Sequence, residues 1–311
     1  GEFEIRASGY PGSETKHIAD LPPVELMPAD ITDAEQVREI VRGCDLVFHV
    51  AGDTSFWKRN YARQRRINLD GTANVAAACR EFGVRRLVHT STIDVLGYNP
   101  DGSAFDESGA SQRFVGMGYN YAETKIAAEE HLRAVPADDL EIVYIYPGFM
   151  LGPWDHGLQL GRVLFDLKAG KIPGVPPGSG AFCHVSEVAR AHIAAAKQAP
   201  AGRGYICAGD THTNLSYTDA FGRMARAVEA RPPMLGTLPG AALVAYGAAL
   251  EWLSSFTGKP PELNPGQARY FCTRQSTNSD RAKAELGYQV PELEACIADA
   301  LEWYRTHGYE I

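Results

Sequence analysis

The strongest constraint on this chain is an alternation of short, nearly unbroken apolar runs with stretches of helical periodicity. The runs are residues 45–52 (DLVFHVAG), 85–91 (RRLVHTS) and 141–147 (EIVYIYP). A strand covered on both faces needs such continuous apolar character. Strands that alternate with helices imply a parallel sheet layered by helices on both sides. Shorter runs at 4–7 and 24–27 predict two more strands, with Asp33 capping a helix that reaches about residue 42. Further helices are predicted over 68–82, 121–133, 187–197, 217–229, 240–256 and 293–306, and a strand over 204–208. Proline and glycine crowd residues 171–180 (KIPGVPPGSG), which reads as a lining loop. The fold class is α/β: a doubly wound parallel sheet with a smaller, mostly helical region.

Charge narrows the function. Across 311 residues, 30 Lys and Arg stand against 38 Asp and Glu, a formal net charge of −8. A basic footprint for nucleic acid or an anionic membrane is therefore absent. The most apolar stretch, 238–250, is stopped by Glu251, short of the ~18 residues that a membrane span needs. Six cysteines form no CxxC pair and sit mostly in apolar runs, which predicts buried reduced thiols and a cytoplasmic location. His49, His156 and His184 are dispersed without metal-ligand spacing, so no metal is predicted.

The chemistry concentrates in Tyr121-Ala-Glu-Thr-Lys125, on a predicted helix, and in Ser91-Thr92, which closes a buried strand. Tyr121 and Lys125 lie one helical turn apart on one face. A free phenol, with pKa near 10, is a poor acid–base group at neutral pH; a neighbouring ammonium favours its phenolate and brings it toward the working range. A Thr92 hydroxyl at the carboxyl end of a strand stands where open α/β sheets place their ligands. It would hydrogen-bond the oxygen whose proton Tyr121 exchanges.

With these residues in view, the chain resembles the extended short-chain dehydrogenase/reductases. The matching segments, in family order, are PADITD (28–33), DLVFHVAGDTSFW (45–57), INLDGTANVAAAC (67–79), VRRLVHTSTIDVLG (84–97), YNYAETKIAAEE (119–130), YPGFMLGPWD (146–155) and NSDRAKAELGY (278–288). The resemblance implies a Rossmann-like dinucleotide-binding domain over 1–148, to which 181–209 returns. A substrate-binding region would cover 149–180 and 210–311. It makes Thr92 the catalytic hydroxyl, because it precedes Gly97 as the family's hydroxyl does. Tyr121 becomes the general acid–base, and Lys125 the residue that holds the nicotinamide ribose and tunes Tyr121. Asp30 and Ile31 would flank the adenine, Val50, Ala51 and Gly52 would let backbone approach the cofactor, and Pro147 and Gly148 would abut the nicotinamide. Asn68 either belongs to the site or satisfies backbone groups.

One family feature is missing. A glycine-rich turn that follows a strand and opens a helix, the pyrophosphate grip, is not in this sequence. The glycines at Gly9–Gly12 and Gly174–Gly180 read as loops. The first βα unit is therefore expected to be absent, with truncation as the favoured explanation, and the chain as written is expected to bind dinucleotide poorly. The end of the second family strand, Ala7-Ser-Gly-Tyr10, carries neither a carboxylate for NAD nor an arginine for NADP. Ser8, Ser13 and Lys16 would serve a 2′-phosphate, so of NADP and NAD the balance falls toward NADP.

No arginine stands in residues 180–186 to pair a diphosphate. That, with Asn120 before Tyr121, places the chain on the dihydroflavonol-reductase and 3β-hydroxysteroid-dehydrogenase side. The expected function is NAD(P)(H)-dependent interconversion of a ketone or aldehyde with an alcohol, on a small and hydrophobic substrate, with a homodimer as a possible assembly. Two alternatives remain open: a nucleotide-sugar epimerase or dehydratase with tightly bound NAD, and a non-catalytic or inactive fragment. Leu243, Val244, Tyr246, Trp252 and Phe256 line an apolar helix that suits a pocket wall, and core packing or a subunit contact is the favoured reading of it. Asp53 and Trp57 are read equally as facing substrate or packing a loop.

Overall fold

The computed structural model describes residues 4–13, 18 and 24–311. Its strands are β1 (Ile5–Ala7), β2 (Val24–Leu26), β3 (Leu46–His49), β4 (Arg86–Thr90), β5 (Glu141–Pro147), β6 (Phe149–Leu151), β7 (Ser179–His184), β8 (Gly204–Cys207) and β9 (Asn214–Ser216). The helices are α1 (Ala34–Val41), α2 (Tyr61–Arg65), α3 (Thr72–Glu81), α4 (Asn120–Arg133), α5 (Arg162–Lys168), α6 (Val185–Gln198), α7 (Tyr217–Ala227), α8 (Gly240–Thr257), α9 (Pro265–Phe271), α10 (Asp280–Leu286) and α11 (Leu293–Thr306).

β3, β4, β5 and β8 form a parallel sheet in that order. Successive side chains point to opposite faces, so the continuous apolar runs of β4 and β5 fill two layers. Leu87, Ile142, Tyr144 and Tyr146 pack with Val37, Val75, Cys79 and Leu132 of α1, α3 and α4. Val88, Val143 and Ile145 pack with Val188, Ala191 and Ala195 of α6. Arg86 is buried at the start of β4 because every part of its guanidinium is used. Nε and Nη2 donate to Glu141 at 2.9 and 2.7 Å, and Nη1 donates to the Ala195 and Ala196 carbonyls in the last turn of α6. A second core joins β6, β7 and β9 to α5, α7 and α11 through Leu151, Leu164, Phe182, Met224, Ile297 and Tyr304. Asp33 caps α1 by accepting the N–H groups of Glu35 and Gln36.

The structure departs from the sequence expectation in three places. The run 45–52 predicts a strand covered on both faces, yet Phe48 is 42% and Val50 64% exposed. β3 pairs only with β4, while β1 and β2 pair only with each other among the described residues. The Arg6 guanidinium of β1 reaches across to the carbonyls of Ile40 and Arg42, at the end of α1, at 3.0 and 2.8 Å. The helix predicted over 68–82 begins as a wider π-helical turn, Arg66–Gly71. Finally, of the large residues singled out on α8, Leu243 is buried but Tyr246, Trp252 and Phe256 are exposed. α8 approaches α9 through a small residue: a Cβ on Gly247 would stand 2.8 Å from the Asn264 carbonyl carbon, so the large side chains turn outward. Among the described residues, no helix is long and apolar enough to cross a membrane.

Candidate active site

β4 ends in Thr90, and the chain then makes a single 3₁₀ turn, Ile93–Val95. Thr92 caps that turn: its backbone is extended and its hydroxyl accepts the Asp94 N–H at 3.3 Å. α4 begins beside it, with Tyr121 in its first turn and Lys125 one turn on. Of the Ser91-Thr92 pair, Ser91 is committed elsewhere, donating to Glu129 at 2.7 Å. The Thr92 hydroxyl is the one whose influence on the Tyr121 phenol favours the ionised form. The buried Lys125 Nζ donates to the Thr90 carbonyl at 2.8 Å, tying α4 to the end of β4.

The electrostatics differ from the simple tyrosine–lysine argument. Burial raises the Tyr121 phenol well above its usual value, the charge of Asp94 raises it further, and Thr92 opposes both. Burial lowers Lys125 to about 8, against a smaller upward pull from Glu129. With its ammonium turned to the Thr90 carbonyl, Lys125 does not offset the desolvation of the phenol.

Several of the other singled-out residues stand at or just after the carboxyl ends of strands. Val50, Ala51 and Gly52 follow β3 and are exposed. Pro147 closes β5, and a Cβ on Gly148 would lie 2.3 Å from the Ala181 carbonyl oxygen, so only glycine fits there. Asp30 and Ile31 follow β2. The Asp30 carboxylate accepts the Thr32 N–H at 2.9 Å, and Ile31 lies so close to Gly71 that a Cβ there would stand 2.7 Å from it. Asn68 satisfies backbone: its amide brackets Asp53, accepting the N–H at 2.7 Å and donating to the carbonyl at 3.0 Å, and also donates to Thr124. Asp53 itself pairs with Arg63. Ser8 and Ser13 are exposed, and Lys16 lies outside the described residues.

Sequence reasoning missed the polar groups behind Thr92. Asp94 is buried and accepts from the Tyr119 hydroxyl and from Gln275 Nε2, each at 2.9 Å. An acid inside the apolar stretch HTSTIDVLG was the available signal. It also missed His89, fully buried beside His49 at a ring distance of 5.3 Å, with neither ring nitrogen partnered. Thr72 donates to the Asn68 carbonyl, so His49 Nε2 carries the proton in its bond to Thr72. Burial holds His49 down to about 3 and His89 well below its usual value. Both stay neutral in the folded chain while the unfolded chain takes protons near pH 6.5. Folding stability is therefore full above that value. On acidification from about pH 6.5 toward pH 3 it falls by about 1.4 kcal/mol per pH unit for each histidine. His89→Met, which removes two unpartnered nitrogens, is expected to add about 1–3 kcal/mol at pH 7 and to flatten that acid slope. Urea unfolding at pH 5 and 7 measures both effects, and an unchanged slope would refute the assignment.

Comparison with known proteins now decides the family. The family model described as "NAD dependent epimerase/dehydratase family" matches residues 5–208. The chain belongs to that family, within the extended short-chain dehydrogenases/reductases. A 2-alkyl-3-oxoalkanoate reductase of Stenotrophomonas maltophilia is 30% identical, covering 85% of this chain and 81% of that one. Sterol demethylase protein B of Methylococcus capsulatus is 26% identical over 92% of this chain and 86% of its own. Among solved structures, gox2253 superposes with a TM-score of 0.82 and 26% identity, covering 99% of this chain and 92% of that one.

The family's dinucleotide can be tested against the residues present. Its nicotinamide-ribose end fits: Lys125 spends one of three donors on Thr90, and the buried Asn120 Nδ2 beside Tyr121 has no partner. Residues 1–311 contain no glycine-rich turn between a strand and a helix, the feature that grips a pyrophosphate. Titration of this chain with NADPH is accordingly expected to give an affinity weaker than low micromolar, and low-micromolar binding would contradict this.

Proposed function

We propose that this family member interconverts a ketone or aldehyde and an alcohol. The observation that carries the reading is the convergence of the Thr92 hydroxyl, the Tyr121 phenol and Lys125 at the carboxyl end of β4. A bound nicotinamide dinucleotide, NADP in preference to NAD, would supply or accept the hydride at the substrate carbon. Thr92 would orient the substrate oxygen, and Tyr121 would give that oxygen its proton in reduction or take it in oxidation. Lys125 would hold the nicotinamide ribose, while Asp30 and Ile31 would hold the adenine and Val50–Gly52, Pro147 and Gly148 would shape the backbone wall.

The surroundings support an apolar substrate. Phe114, Tyr119 and Tyr270 form a buried aromatic cluster with Phe56, Met117, Tyr121 and Phe149 packed on it. Such a wall binds carbon skeletons and excludes water from the reacting oxygen. We place the substrate region over 149–180 and 210–311, which contribute Phe149 and Tyr270 to that cluster. The reading is tested by following NADPH absorbance with a panel of apolar ketones and aldehydes at saturating cofactor. Stoichiometric oxidation with alcohol formation is expected. Epimerisation of a nucleotide sugar without net cofactor change would replace it.

A further inference from the structure

A net charge of −8 speaks against an anionic surface only as an average over the chain. Residues 58–66 (KRNYARQRR) reverse it locally, with five Lys and Arg and no acid. They follow one continuous helical path: a 3₁₀ turn at Lys58–Asn60, then α2, then the π-helical turn that opens at Arg66. Arg59, Arg63 and Arg66 stand at i, i+4 and i+7, which puts them on one face, and all three are exposed. Arg63 pairs with Asp53, whereas Arg59 and Arg66 make no ion pair among the described residues. An apolar surface adjoins this strip. α8 carries one charge in its 18 residues, Glu251, and Lys58 covers that carboxylate at 3.1 Å. Next to Glu251, Trp252 and Phe256 are 67% and 72% exposed and meet edge to face with ring centres 4.8 Å apart. Leu253 and Tyr246 are exposed beside them. A protein rarely leaves so long an uncharged stripe in water without a use for it. Because Lys58 opens the basic strip and reaches the neighbour of Trp252, the two surfaces meet edge to edge.

We propose that this combined face docks on an anionic lipid bilayer, with Trp252 and Phe256 entering the acyl boundary and the arginines of 58–66 meeting headgroup phosphates. Binding flat on a bilayer draws on two sources, apolar area buried at the boundary and attraction to anionic lipid. α8 supplies the first and 58–66 the second. Arginine suits the task, since its planar fork takes phosphate oxygens in pairs. A second copy is a poorer occupant. In a two-fold pair both chains present the same face, and its one acid, Glu251, is already covered by Lys58, so the arginines would find no counter-charge. The surface is also tied to the active site. α8 packs through Gly247 on Asn264 at the head of α9, and Asn264 Nδ2 donates to the Phe56 carbonyl at 2.6 Å. Phe56 stacks on Tyr119 in the aromatic cluster around Tyr121. An apolar substrate dissolved in the bilayer would meet the protein beside that cluster. The docking itself does not depend on the reaction proposed above.

Co-sedimentation with vesicles tests the proposal. The parent chain is expected to pellet with vesicles of equal parts phosphatidylcholine and phosphatidylglycerol, and much less with phosphatidylcholine alone. Raising NaCl to about 0.5 M, which shortens the Debye length to about 4 Å, is expected to release most of it. Arg59→Ser combined with Arg66→Ser should weaken binding about 25-fold, from about fivefold for each basic residue near such a surface. Trp252→Ala combined with Phe256→Ala should weaken it at least about tenfold, while the melting temperature stays parental because both rings are exposed. A parent chain that remains in the supernatant with the anionic vesicles would overturn the proposal. Equal binding to both kinds of vesicle, or binding that neither double variant weakens, would overturn it too. Self-association without lipid binding, abolished by Trp252→Ala with Phe256→Ala in sedimentation velocity, would assign the face to a second copy instead and overturn it as well.

Discussion

Tyr121→Phe is expected to lower turnover by roughly 10²–10⁴-fold, the usual contribution of a positioned acid–base group. The substitution deletes one oxygen and leaves the ring, which packs against the Phe114–Tyr119–Tyr270 cluster. Stability and dinucleotide affinity should therefore stay near parental values, because Lys125 and its bond to the Thr90 carbonyl are untouched. Steady-state rates at saturating cofactor, compared with cofactor affinity by fluorescence titration, separate the two effects. Turnover near that of the parent would remove Tyr121 from the mechanism.

Gly97→Ala should have the largest effect on folding. Gly97 has φ +99°, a conformation that a side chain resists. A Cβ there would also lie 2.0 Å from the Gln112 carbonyl oxygen. That carbonyl cannot retreat freely, because Tyr98 and Gln112 exchange backbone hydrogen bonds at 2.9 and 3.1 Å, and Ala110 donates to Leu96. Backbone strain and overpacking together should cost about 2–4 kcal/mol, read from urea unfolding. The turn carrying Thr92 and Asp94 lies just upstream, so turnover should fall more than stability alone explains. A variant as stable and active as the parent would refute the clash.

How much of this was legible follows from the range of each interaction. Apolar runs report layers directly, so the central strands and the helix Leu293–Thr306 are found where the pattern puts them. An acid before an apolar-periodic segment reports a cap, and Asp33 is one. The role of Phe48 was not legible, because an apolar run looks the same on a strand paired on one edge as on one paired on both. The outward turn of Trp252 and Phe256 was hidden likewise: it depends on the close approach of Gly247 to Asn264, a partner distant in the chain.

The sequence by itself determined the family-like order of motifs, the parallel α/β layering, and the tyrosine and lysine one turn apart. Those are properties of local periodicity and composition, which no distant residue alters. Only the tertiary structure decided which hydroxyl faces Tyr121, by committing Ser91 to Glu129, and where the Lys125 ammonium points. It also brought Gln275 and Tyr270 to Asp94 from the far end of the chain. Acidity in a buried site is set by desolvation and by neighbouring charges, and the Asp94 charge that acts on Tyr121 comes from another element.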